Sequence, residues 1–202
     1  MRHFLLVVGF LLQLTAFSQQ ALLSPEKFLG YPLGSRYTNH YQIVQYFQSL
    51  AEAQPGKVKL VNYGKTYEGR PLVLAFISSE ENIRNLETIR MNNLRLAGMS
   101  KDKMAPSETT PVLVWLSYNV HGNEPSSSEA AMKTIFTLLD PASAQAGNWL
   151  KNTVIVIDPC INPDGRDRYA NWQNGVASIV PDPNPQTREH REPWPGGRIN
   201  HY

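Results

Sequence analysis

The sequence predicts an α/β fold: a mixed, partly parallel central sheet flanked by helices. Three observations predict it. Two nearly unbroken apolar runs, 111–118 and 153–157, bracket a helical stretch at 126–139, the order of a βαβ unit with a parallel strand pair. Two further strand-like runs, 58–63 and 72–77, are separated by a connection short enough for an antiparallel hairpin. Ahead of them, Tyr41, Val44, Phe47 and Leu50 fall at helical spacing behind a candidate cap, Thr38, and the helix stops before Pro55-Gly56.

The remaining elements follow in order. Residues 1–18 have the layout of a secretory signal: Arg2 and His3, then a nearly all-apolar stretch from Phe4 to Leu14, then small residues at Ala16 and Ser18. That apolar run is shorter than the roughly 20 residues a bilayer-spanning helix needs, so export to a secreted or periplasmic location is expected, without a stable membrane anchor. Residues 19–37 read as an irregular leader punctuated by Pro25, Gly30, Pro32 and Gly34. A second helix is expected over 81–96, with Ile83, Leu86 and Leu94 on a partial stripe, and 101–110 is a polar surface loop. The run 111–118 predicts a strand covered on both faces. The segment between 139 and 153 reads as a linker, and everything from Asn162 onward, with its six prolines, as one long polar loop. A partial domain is thus expected over 38–202, incomplete at its C-terminus because no strand or helix closes it.

Composition narrows the function. A net charge of +2 with mixed signs, and no basic run, gives no footprint for nucleic acid. Cys160 is the only cysteine, so no internal disulfide forms; following an apolar strand, it reads as a small core residue.

The chemistry is concentrated in Ser117-Tyr118-Asn119-Val120-His121-Gly122-Asn123-Glu124-Pro125, which leaves the carboxyl end of an apolar strand and enters a helix. Ligands bind at such strand ends in open α/β sheets. His121 and Glu124 are an imidazole and a carboxylate three residues apart, N and O donors of the kind Zn²⁺ takes, and Gly122 allows a tight path between them. The spacing decides little alone: five histidines and 17 acids in 202 residues yield about 0.4 such pairs by chance. The bland alternative is a capped helix start beside a histidine. Ser126-Ser127-Ser128-Glu129 fits a capping box, which makes Glu129 structural. Asn162-Pro163-Asp164-Gly165 follows the other apolar strand and reads as a turn whose polar side chains could orient the ligand loops.

These motifs together resemble the M14 family of zinc carboxypeptidases. His121-Gly122-Asn123-Glu124 is similar to that family's first metal-ligand pair, Asn162-Pro163-Asp164-Gly165 to the loop after its next strand, and Gly197-Arg198-Ile199-Asn200 to its Gly-Arg segment. The resemblance implies that His121 and Glu124 bind Zn²⁺ and that Arg198 polarises the scissile carbonyl, with Arg166, Arg188 and Arg191 as competitors. It implies a metallocarboxypeptidase acting on peptide or protein C-termini, or trimming cell-wall peptides. A zinc amidohydrolase of the aspartoacylase type and an inactive relative that binds peptide termini are the alternatives. The family's third metal ligand, its carboxylate-gripping Asn-Arg pair and its general-base glutamate have no counterpart before Tyr202; His190 and His201 do not match. This chain alone is therefore expected to bind zinc poorly and to be inactive.

Overall fold

The computed structural model describes residues 21–180 and 182–193. The signal segment 1–18, Arg198 with its Gly-Arg segment, and His201 lie outside the described residues. Among the described residues, four strands form one sheet in the order β1-β2-β4-β3: β1 (Val58–Lys65), β2 (Pro71–Ile77), β3 (Val112–Ser117) and β4 (Thr153–Asp158). β1 pairs antiparallel with β2, β2 antiparallel with β4, and β3 parallel with β4. The predicted hairpin and the βαβ unit are both present, so the sheet is mixed.

Among the described residues, seven α-helices flank it. They are α1 (Pro25–Leu29), α2 (His40–Ala53), α3 (Glu80–Arg84), α4 (Leu86–Leu96), α5 (Ser126–Leu139), α6 (Ala144–Asn152) and α7 (Pro163–Val176). One sheet face carries the main core. Ile43, Phe47 and Leu50 of α2, Met132, Ile135 and Leu139 of α5, and Leu150 of α6 pack there on Val58, Ala75, Ile77 and Ile157. Among the described residues, the opposite face is packed by α4, through Leu86 and Ile89 on Leu74, Val154 and Val156. Among the described residues, no helix is long and apolar enough to cross a membrane.

Several expectations need correction. The predicted helix at 81–96 is two helices broken at Asn85: Ser79 caps the first, and buried Asn82 donates to Ser78 Oγ and to the carbonyls of Leu150 and Lys151. The presumed linker holds α6, capped by Ser143 and anchored by Ala146 and Leu150, one turn apart. Tyr41 faces solvent; Ile43 and Tyr46 take the core side of α2 instead. β3 is not covered on both faces: it is the sheet edge among the described residues, with Val112 60% and Trp115 63% exposed.

The largest departure is α7, where a long loop was expected. Asn162 is its N-cap, accepting from the Gly165 amide, Pro163 occupies the first turn, and Asp164 sits at the positive helix end. The residue types that make a turn also start a helix. Its buried face is polar, centred on Arg166, so apolar periodicity does not reveal it.

At the start of α2, His40 is buried; its Nε2 lies 2.7 Å from the Pro71 carbonyl, to which it can only donate, while Nδ1 has no partner. Burial holds its pKa below the usual value, helped by the neighbouring Arg70 and Arg166 and opposed by the Pro71 bond and Asp167. The folded state therefore resists protonation that the unfolded chain accepts near pH ~6.5. Stability should be insensitive to this group above that pH and fall below it, by no more than about 1.4 kcal/mol per pH unit, until the depressed pKa is reached. Urea unfolding at stepped pH should show this slope in the wild type and its loss in His40→Gln.

Candidate metal site

The motif loop leaves β3 at the carboxyl end of the sheet. The ladder continues briefly past both parallel strands: the Tyr118 amide donates to Asp158 O at 3.0 Å and the Ile161 amide to Tyr118 O at 2.9 Å. The two post-strand segments therefore emerge side by side. Asn119 turns the chain with φ of +57°, the left-handed region that asparagine tolerates better than most residues. Its Nδ2 donates to the His121 carbonyl at 2.6 Å, and the Glu124 amide donates to the same carbonyl at 3.1 Å.

This path brings His121 and Glu124 together. Nδ1 of His121 lies 3.0 Å from Oε2 of Glu124, and the two side chains are 38% and 66% exposed. Two donors that close can both reach a single cation at 2.0–2.2 Å. Among the described residues, no group of three or more His, Cys, Asp or Glu could hold a metal. The pair stands as two donors.

Gly122 earns its place by proximity rather than by backbone freedom. A Cβ there would sit 2.1 Å from the Gly165 carbonyl oxygen and 2.6 Å from its Cα. The ligand loop thus lies directly on the first turn of α7, and Asn162 Nδ2 adds a bond to Val120 O at 2.9 Å. The Asn-Pro-Asp-Gly segment does touch the His121–Glu124 loop as expected, but as a helix start.

Arg166, one residue on, is wholly buried. Nε and Nη2 donate to Thr38 O at 2.9 and 2.8 Å, Nη2 also to Glu129 Oε1 at 2.6 Å, and Nη1 to Asn119 Oδ1 at 2.9 Å and to Pro125 O. It is thereby removed from competition with Arg198. Glu129 is structural, but not by the expected route: the N-cap of α5 is Pro125 without a side-chain cap, and Glu129 Oε1 instead pairs with Arg166 and accepts from the Thr38 amide at 2.8 Å. A second polar cluster lies behind. Arg70, in the hairpin loop, contacts Asp164 at 2.6 Å and Asp167 at 2.8 Å, and Asp167 also accepts from the His40 amide.

The sequence names Arg166 only as a competitor of Arg198 and includes Asn119 in the motif without a role of its own; the buried contacts of both emerge only from the structure. A hint existed for Asn119, since a non-glycine left-handed residue at a strand end is commonly Asn. Beneath the loop, Cys160 is buried as predicted, and burial pushes its thiol up to about 12. Burial also raises the Asp158 carboxyl, against the hydrogen bond donated by Tyr63 Oη at 2.6 Å. His190 lies in a 3₁₀ turn (Arg188–His190), its Nε2 held 2.6 Å from Asp182 O.

A profile of the zinc carboxypeptidase family, M14, matches residues 43–199. The chain belongs to the zinc carboxypeptidase family. Of solved structures, thrombin activatable fibrinolysis inhibitor is similar with a TM-score of 0.51 at 17% identity, over 80% of this chain and 33% of that one. The carboxypeptidase A of Helicoverpa armigera is similar at 0.49 and 19%, over 82% of this chain and 32% of that one. At such identities the first likeness shows the shared fold, and this chain spans about a third of the length of the family structures it matches.

Gly122→Ala should be destabilising by about 1–3 kcal/mol, the usual cost of forcing atoms into a packed contact. Here the obstacle is backbone, which yields less readily than a side chain. Urea denaturation would check it; a loss below about 0.5 kcal/mol would mean the loop and α7 do not touch as described.

Proposed function

We propose that this chain carries the first part of the catalytic domain of a metallocarboxypeptidase, with His121 and Glu124 as two protein ligands of a catalytic Zn²⁺. One observation carries the reading: the imidazole Nδ1 and the carboxylate Oε2 stand 3.0 Å apart at the carboxyl end of a parallel strand, in a chain of the zinc carboxypeptidase family. An N/O donor pair matches the chemistry of Zn²⁺, and its exposure leaves room for further ligands and substrate.

Zinc bound there supplies Lewis acidity, polarising a carbonyl and bringing the ionisation of water near neutral pH. The chain's own residues hold the donors. His121 is set by the bonds to its carbonyl from Asn119 and the Glu124 amide, and Glu124 is set by its place beside Pro125 at the start of α5. Arg198 remains the candidate to stabilise negative charge developing on the scissile carbonyl, since a fixed guanidinium there lowers the barrier electrostatically. Substrates are proposed to be peptide or protein C-termini, and export by residues 1–18 belongs to the same proposal.

Metal analysis and peptide digestion on a full-length form should decide. In His121→Ala, bound zinc should be lost and release of C-terminal amino acids should fall roughly 1,000-fold or more, some 4 kcal/mol of barrier. Retained zinc would remove His121 from the site. Cleavage of N-acyl amino acids without cleavage of peptides would move the assignment to an amidohydrolase, and a zinc-loaded wild type inert on both would make it a binding protein.

A further inference from the structure

We infer that Arg166 is a positioning residue for the metal pair, clamping the ligand loop at both ends so that His121 and Glu124 are organised before metal arrives; the inference rests on the zinc reading above. The guanidinium has five N–H donors, and all five are used inside the protein on four residues: Thr38, Asn119, Pro125 and Glu129. Two of these bracket the ligands. Asn119 lies two residues before His121 and passes the constraint on through its Nδ2 bond to the His121 carbonyl. Pro125 directly follows Glu124, and its carbonyl accepts from the same Nη1 that holds Asn119 Oδ1. One nitrogen therefore joins the two ends of the loop.

The opposite edge of the guanidinium anchors the clamp. Nε and Nη2 grip the Thr38 carbonyl ahead of α2, while Glu129 of α5 neutralises the charge and fixes the plane. Only a planar fork reaches acceptors on opposite sides at once; a lysine ammonium has three donors on a single point. The His121 and Glu124 side chains stay partly exposed, open to metal and substrate, while the loop that carries them is held by Arg166 at Asn119 and Pro125 and by α7 at Gly122. Groups that orient metal ligands from behind typically alter metal affinity by about 10–100-fold when removed.

The test uses full-length protein, with zinc affinity measured by chelator competition and the visible spectrum recorded with Co²⁺ in the site. Arg166→Lys keeps the charge opposite Glu129 and should weaken zinc binding by about 10–100-fold with altered cobalt bands. Asn119→Gly keeps the left-handed turn and the Arg166–Glu129 pair but cuts the link to His121; it should weaken zinc comparably. The double variant should be little worse than either single one, since both break one chain of contacts. Leu139→Ala, a core truncation on α5 away from the loop, controls for stability: it should lower the melting temperature and leave zinc affinity within about twofold.

Unchanged zinc affinity in folded Arg166→Lys, or in Asn119→Gly should the lysine variant not fold, overturns the positioning role. A loss in Leu139→Ala equal to that in Arg166→Lys overturns it too, because any destabilisation would then suffice. If the wild type itself binds no zinc, or binds it equally as His121→Ala, the metal reading has failed and the clamp falls with it. Zinc held by the wild type and lost in His121→Ala, yet untouched in the Arg166 and Asn119 variants, removes the clamp alone.

Discussion

An arginine has only donors to offer, so burying one completely obliges the chain to surround it with oxygen. Arg166 meets that demand from two stretches of chain far apart in sequence: Thr38 at the turn into α2, and residues 119–129, which supply Asn119 at the exit from β3, Pro125 at the start of α5 and Glu129 on α5 itself. None of the four can shift without leaving a buried N–H unsatisfied. Removing one partner of such a buried pair commonly costs about 3–5 kcal/mol, largely because the survivor is stranded. The site end of the molecule is therefore held by polar bonds, while the sheet face beneath α2 and α5 is held by apolar packing.

That division suits a place where ligands must be ordered yet accessible. An apolar core cannot extend to the mouth of a sheet without closing it. Here the main chain of the ligand loop is pinned instead by short, directional contacts: Gly122 lies on the backbone of Gly165, Asn162 holds Val120, and Asn119 holds His121. The Arg70 cluster repeats the device one layer back, tying the hairpin loop to the acids in the first turns of α7. His121 enters this scaffolding through its carbonyl, and its imidazole stands beside the Glu124 carboxylate.

What was legible in the sequence follows the same division. Where burial is apolar, the pattern of residues announces it: the hairpin, α5 and the parallel pair β3 and β4 all appear at or within a few residues of their expected bounds. That His121 and Glu124 stand side by side was legible because their spacing and their place after a strand are local properties. Where burial is polar, the pattern is silent. α7 was hidden because the residue it buries deepest is an arginine, and Glu129 was assigned to a local cap when its partners lie 91 and 37 residues away. Asn162-Pro163-Asp164-Gly165 is ambiguous by nature, since turn and helix start ask for the same side chains; only the contacts made by the following turn distinguish them.

β3 shows why the polar clamp matters to the pair it serves. An unbroken run of Val, Leu and Trp predicts a strand enclosed by neighbours, yet among the described residues β3 is bonded to β4 alone, with only its end near Leu116 and Tyr118 reaching the main core. Its Leu113 and Trp115 instead help line an apolar groove of about 380 Å³ with Val61, Phe76, Leu86 and Val156. A strand held along one side transmits little rigidity to the segment that leaves it. The loop from Asn119 to Glu124 begins at such a strand and still follows a defined path, so its order must come from what it meets afterwards. It meets Gly165, Asn162 and, at both of its ends, the Arg166 guanidinium. The sheet decides where the two donors emerge; the first turn of α7 decides that they face each other.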